Sequence, residues 1–128
     1  MLITLATTKS LEQVCVDMEA VVPKHQFGIL GIHDLKATLN SKGVEFESEC
    51  RMFEVCNPHQ AQAVLETSMA ISTAMPCRIS VYPEDEKVIL ATMRPTEMMQ
   101  MFDIEGAEAV AQEVEDALIA IMREVAGL

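Results

Sequence analysis

The apolar positions along the chain change period several times, and each change marks an element. Residues 2–6, Leu-Ile-Thr-Leu-Ala, alternate weakly and read as a short strand. Ser10 with Gln13 is a capping-box pattern. Leu11, Val14, Cys15, Met18, Val21 and Val22 then recur at helical spacing until Pro23 stops them. Cys15 falls inside that apolar stripe and reads as a buried, inert thiol. Phe27 to His33 is strand-like, with Gly28 and Gly31 where another backbone or a ligand approaches closely. A short helical segment from Asp34 to Ser41 is closed by Lys42-Gly43. A long strand then runs from near Ser48 to Val55. Asn57 is placed to cap a helix with Pro58 at its first position, and Ala61, Val64, Leu65 and Met69 form that helix's apolar face.

Residues 77–82 and 87–93 read as two strands joined by a hairpin turn at Pro83-Glu84-Asp85-Glu86. Arg94-Pro95 ends the second of them. The segment from Met98 to Phe102 has no clear period. Asp103 is placed to cap a last helix carrying Ala107, Val110, Val114, Ala117, Leu118, Ile121 and Val125 on one side. The order is strand, helix, four strands with a small helix among them, then a long helix. That order describes one α+β domain over residues 1–128.

Phe53-Glu54-Val55-Cys56-Asn57-Pro58, an alanine- and leucine-bearing helix, and then Pro76-Cys77-Arg78 together resemble the DUF302 family (TT1751-like proteins). The resemblance runs through most of the chain. It implies a β-α-β4-α arrangement, a TBP-like/TT1751-like antiparallel sheet with helices on one face. It implies no reaction, because the family is without a general biochemical assignment. The family pattern carries Asp-Pro where this chain has Arg94-Pro95, so a role for that position would belong to a subgroup.

Charge narrows the partners. The formal net charge is −11, from 20 acidic residues against 9 Lys and Arg, and no basic stripe is present to displace counterions from phosphates. Nucleic acid is therefore excluded as a general ligand, and anionic membranes are disfavoured by the same sign. No run of about 18 uncharged apolar residues occurs, as a membrane span would need. The first residues are too short and too little basic for a secretory signal. The expected compartment is the cytoplasm, where Cys15, Cys50, Cys56 and Cys77 would stay reduced. Cys50 and Cys56 would stand about 20 Å apart along a straight strand, too far to bridge.

If the four later strands lie side by side in chain order, alternating direction brings one set of residues to a single rim of the sheet. That set is His25 or Gln26, Cys56, Asn57, Cys77, Met93 and Arg94, followed directly by Met98, Met99 and Met101. Thiolate, thioether and imidazole donors suit haem iron or copper. A haem or soft-metal site is one reading, with His25, Cys56, Cys77 and Met93 as metal ligands and Cys56, Cys77, Met93, Arg94, Met98, Met99 and Met101 around the cofactor. A second reading is sulfur transfer or redox chemistry through Cys56 and Cys77, since Cys56 precedes a helix N-terminus that favours a thiolate. In the third reading the chain is a structural interaction module, with the cysteines and ten methionines as packing residues. No acid–base pair, phosphate loop or nucleophile elbow is present, so a stand-alone catalyst is not expected. The strand 87–93 is apolar on both faces, which points to a homodimer burying the second face. A small molecule or a redox protein is the other partner considered.

Overall fold

The structure, a computed structural model, describes residues 1–102 and 104–128. Its sheet is built from β1 (Leu2–Thr7), β2 (Gly28–Asp34), β3 (Arg51–Cys56), β4 (Cys77–Glu84) and β5 (Lys87–Met93). The strand order is β1-β5-β4-β3-β2, and every neighbouring pair is antiparallel. The four later strands therefore do lie in chain order. The first strand, separated from them by a helix, joins the far edge with Leu2 opposite Met93 and Thr7 opposite Val88.

The helices are α1 (Leu11–Val21), α2 (Leu35–Ser41), α3 (Pro58–Thr67), α4 (Pro95–Gln100) and α5 (Glu108–Ala126). Each start has a local cause. Ser10 Oγ accepts from the Gln13 N–H, Asp34 from Ala37, and Asn57 from both His59 and Gln60, so capping oxygens satisfy donors that the first turn leaves unpaired. The expectation that Asp103 caps the last helix falls on a residue outside the described ones. The helix itself begins after Ala107, which offers no side-chain cap. Its other end is held by the β1–α1 turn. Thr7 Oγ1 donates to the Ala126 carbonyl at 3.0 Å and Lys9 Nζ to that of Val125 at 2.8 Å. A cation there also complements the negative end of the helix dipole.

One face of the sheet packs against α1 and α5 and forms the main core. Phe53, Val55, Ile79, Val81 and Leu90 from the strands meet Val14 and Met18 of α1 and Leu118, Ile121 and Met122 of α5, all fully buried. Burying one such side chain stabilises the fold by about 1.5–3 kcal/mol. A smaller cluster lies at one end of α5, where Val64 and Ile71 pack on Ala107 with Met99 and Val110 beside them.

Several boundaries differ from expectation. Strand β3 begins at Arg51, not near Ser48, because the preceding residues form an exposed loop. Helix α3 stops at Thr67, and Ser68 caps a separate 3-10 segment, Met69–Ala74, that buries Ile71. The methionine run after Pro95 is helical. The hairpin turns on Asp85 and Glu86, with φ of 51° and 66°. Two successive left-handed residues make the turn that matches strand twist, here without the glycine that would adopt it freely.

Candidate functional site

Strand β3 ends at Cys56, and Asn57 with Pro58 redirects the chain at once into α3. After the 3-10 segment, Met75 and Pro76 return it to the same rim, where Cys77 opens β4 opposite Val55. The two thiols are thus brought to one end of the sheet by alternating strand direction. Both line a cleft of about 60 Å³ between α3, the 3-10 segment, α4 and α5. Gln60, Met75, Met98 and Met99 line it as well, with Phe27 and Val55 on the sheet side and Val64 and Ile71 on the other. The cleft sits where the two apolar clusters meet without closing on each other.

The remaining rim residues have other roles. Met93 is exposed and belongs to a second, neighbouring recess with Cys77, Arg78 and Met98. Met101 is 67% exposed. Arg94 is engaged within the chain: its Nη1 donates to Glu115 Oε2 at 3.1 Å. Glu115 Oε1 accepts from the Thr96 N–H and hydroxyl at 3.2 and 2.7 Å, so one buried carboxylate ties the start of α4 to the middle of α5. His25 Nε2 lies 3.1 Å from Glu124, ten residues along α5 from Val114 and so about 15 Å from the cleft wall.

These placements correct the metal and cofactor reading. Among the described residues, no group of three or more His, Cys, Asp or Glu side chains is disposed to hold a metal ion. His25 is held by Glu124, and Met93 stands outside the cleft that Cys56 and Cys77 share. A haem macrocycle is several times larger than the cleft. Haem and copper binding at this rim are therefore not supported.

The thiolate reading is corrected too. Burial pushes the Cys77 thiol up to about 11; the nearby Cys56 adds to the rise, and Arg78 only partly offsets it. Burial also raises Cys56, the reverse of the lowering expected of a thiol beside the α3 N-terminus. Cys15 and Cys50 are raised by burial as well, and all four thiols are unbridged. Neutral, shielded thiols are poor nucleophiles, and redox or sulfur-transfer chemistry loses its basis.

Sequence reasoning missed Gln60, the 3-10 wall and the α5 side of the cleft. The available signal was Ser68, a second capping residue only eleven positions after Asn57, followed by an apolar Ile71 out of phase with α3.

The opposite face of the sheet carries no helix from α1, α3, α4 or α5. Leu2, Met52, Tyr82, Ile89, Ala91 and Met93 lie on it, by the alternation of the registered pairs. Its charges are matched in register: Glu54 stands opposite Arg78 and Glu84 opposite Lys87. Glu54 Oε1 is also 2.6 Å from His33 Nε2.

No helix among the described residues is long and apolar enough to cross a membrane. A comparison with curated proteins found no match. Among solved structures, the chain is similar to the crystal structure of an uncharacterized conserved protein DUF302 from Bacillus stearothermophilus. The two are 23% identical with a TM-score of 0.90, over 98% of this chain and 97% of that one. At that identity the likeness shows the fold, an antiparallel sheet with helices on one face. The profile of the family described as Domain of unknown function DUF302 matches residues 3–125. The chain belongs to the DUF302 family.

Proposed function

We propose that this chain is a structural interaction module of the cytoplasm that packs the open face of its sheet against a second copy of itself. It works without metal or cofactor and is an accessory rather than a catalyst. One observation carries the reading: on a chain of net charge −11, the open face sets Leu2, Met52, Tyr82, Ile89, Ala91 and Met93 among Thr4, Ser80 and His33, and its formal charges cancel, Arg78 and Lys87 against Glu54 and Glu84. Copies repel one another over most of their surface and least over this face. Its size is suitable. Five strands spaced about 4.8 Å apart and about 20 Å long present about 500 Å² in projection, the order of a standard interface once side-chain relief is counted. The four unbridged thiols fit a reducing compartment.

Sedimentation equilibrium tests this. The expected result is a species of twice the 14.1 kDa chain mass, strengthened by salt as the self-repulsion is screened. Ala91→Arg places a cation in the middle of the face and should give monomer, with a thermal midpoint that no longer depends on protein concentration. A wild-type chain that stays at 14.1 kDa at about 100 μM, well above the micromolar Kd of a weak standard interface, would refute the reading.

A further inference from the structure

The cleft beside Cys56 and Cys77 is lined almost wholly by carbon and sulfur, and one of its lining residues, Gln60, carries a buried polar atom that is left unanswered. Gln60 Oε1 is sealed from water and has no hydrogen-bond partner among the described residues. Its neighbour Asn57 is not in this position, because Asn57 Oδ1 already accepts from His59 and Gln60. An orphaned buried acceptor is uncommon in a folded protein and calls for an explanation. The volume of about 60 Å³ exceeds what one water requires, about 10–15 Å³, yet the apolar wall offers water too few partners to hold it well.

We infer that this cleft binds a small, neutral, apolar molecule carrying one hydrogen-bond donor, a short branched alcohol in chemical class, with Gln60 turning about its soft terminal torsion to accept the hydrogen bond. The apolar body replaces contacts missing where the two clusters fail to close, and the donor satisfies Oε1. A charged ligand finds no counter-charge among the side chains that line the cleft. The inference goes beyond self-association. The cleft is on the helical side of the sheet, so either reading can fail while the other stands.

The test is a titration of the full chain, labelled at its methionine methyl groups, with isobutanol. The comparison probe is methyl isopropyl ether, which has the same formula and an oxygen but no donor. Met75, Met98 and Met99 line the cleft, whereas Met18 and Met122 are fully buried in the main core and serve as internal controls. The expected result is a saturable shift of the first group, with millimolar affinity, and none of the second. The alcohol should bind about five- to tenfold more tightly than the ether, the worth of one hydrogen bond to a buried acceptor. Gln60→Met keeps the side-chain length and should abolish that preference while leaving ether binding in place. Ala61→Leu, which fills the cleft from α3, should abolish saturation by both probes. Non-saturating shifts of all the methyl groups would overturn the inference. So would equal affinity for alcohol and ether, or a preference that survives Gln60→Met.

Discussion

Glu115 offers the sharpest test of how the cleft wall is held. It is 5% exposed and accepts three hydrogen bonds, one from Arg94 Nη1 and two from Thr96. Glu115→Ala removes all three. Hydrogen bonds to a charged group contribute about 1.5–3 kcal/mol each, but the sum must be discounted, because the carboxylate was desolvated to make them. The Arg94 side chain, 34% exposed, also recovers water when its partner is gone. The net loss should be about 2–4 kcal/mol, lowering the thermal midpoint by about 10 °C in a chain of this length. Glu115→Gln keeps a carbonyl for Thr96 and should lose about half as much. Urea and thermal unfolding followed by circular dichroism measure both. The pH dependence is a second check. Burial by itself raises this carboxyl, but the Thr96 and Arg94 hydrogen bonds outweigh it and hold the group below its usual 4.5. The folded state therefore binds fewer protons than the unfolded chain near that pH. The contribution is complete above about pH 4.5 and disappears as the pH falls through the lower folded value. Glu115→Gln should show a shallower acid loss over that window. An Ala variant within about 0.5 kcal/mol of wild type would show that the network does not hold α4 to α5.

Other measurements test other parts of the fold. Replacing Asp85-Glu86 by Asn-Gly puts residues that favour left-handed backbone into the β4–β5 turn, and should raise stability by about 1 kcal/mol in urea unfolding. Alkylation of Cys77 in the native protein should be slow at neutral pH and reach half its limiting rate only near pH 11; rapid labelling at pH 7 would mean that the thiol is not shielded. Ile79→Ala, at a fully buried position of a central strand, should cost about 2–5 kcal/mol by thermal unfolding. Lys9→Met removes the cation from the α5 C-terminus together with its 2.9 Å ion pair to Asp17, and should cost about 0.5–2 kcal/mol, with amide protection lost first in the last turn of α5.

The parts of the fold with strong local causes were legible in the chain. Asn57-Pro58 marked the start of α3 because capping and the fixed proline φ act over two residues, and the adjacent thiols followed from strand direction alone. What escaped was decided by packing. The 3-10 segment at Met69–Ala74 exists because Ile71 has a hydrophobic cluster to enter, and no periodicity in ten residues reveals that. Nothing in sequence links Arg94 to Glu115, twenty-one positions on, so their hydrogen bond is invisible there. The thiolate at Cys56 was inferred from the helix end, a local effect. The burial that raises the thiol instead depends on elements from across the chain.

The edge position of β1 has a consequence for synthesis. Leu2 finds its registered neighbour only at Met93, and the strand has no other partner in the sheet. While the chain emerges from a ribosome, β2, β3 and β4 can begin to assemble, but β1, made before them, must wait, unpaired, for the fifth strand to follow. Protecting that waiting strand is where a folding helper would gain most. A permuted chain that carried it after β5 should mature faster without altering the finished sheet.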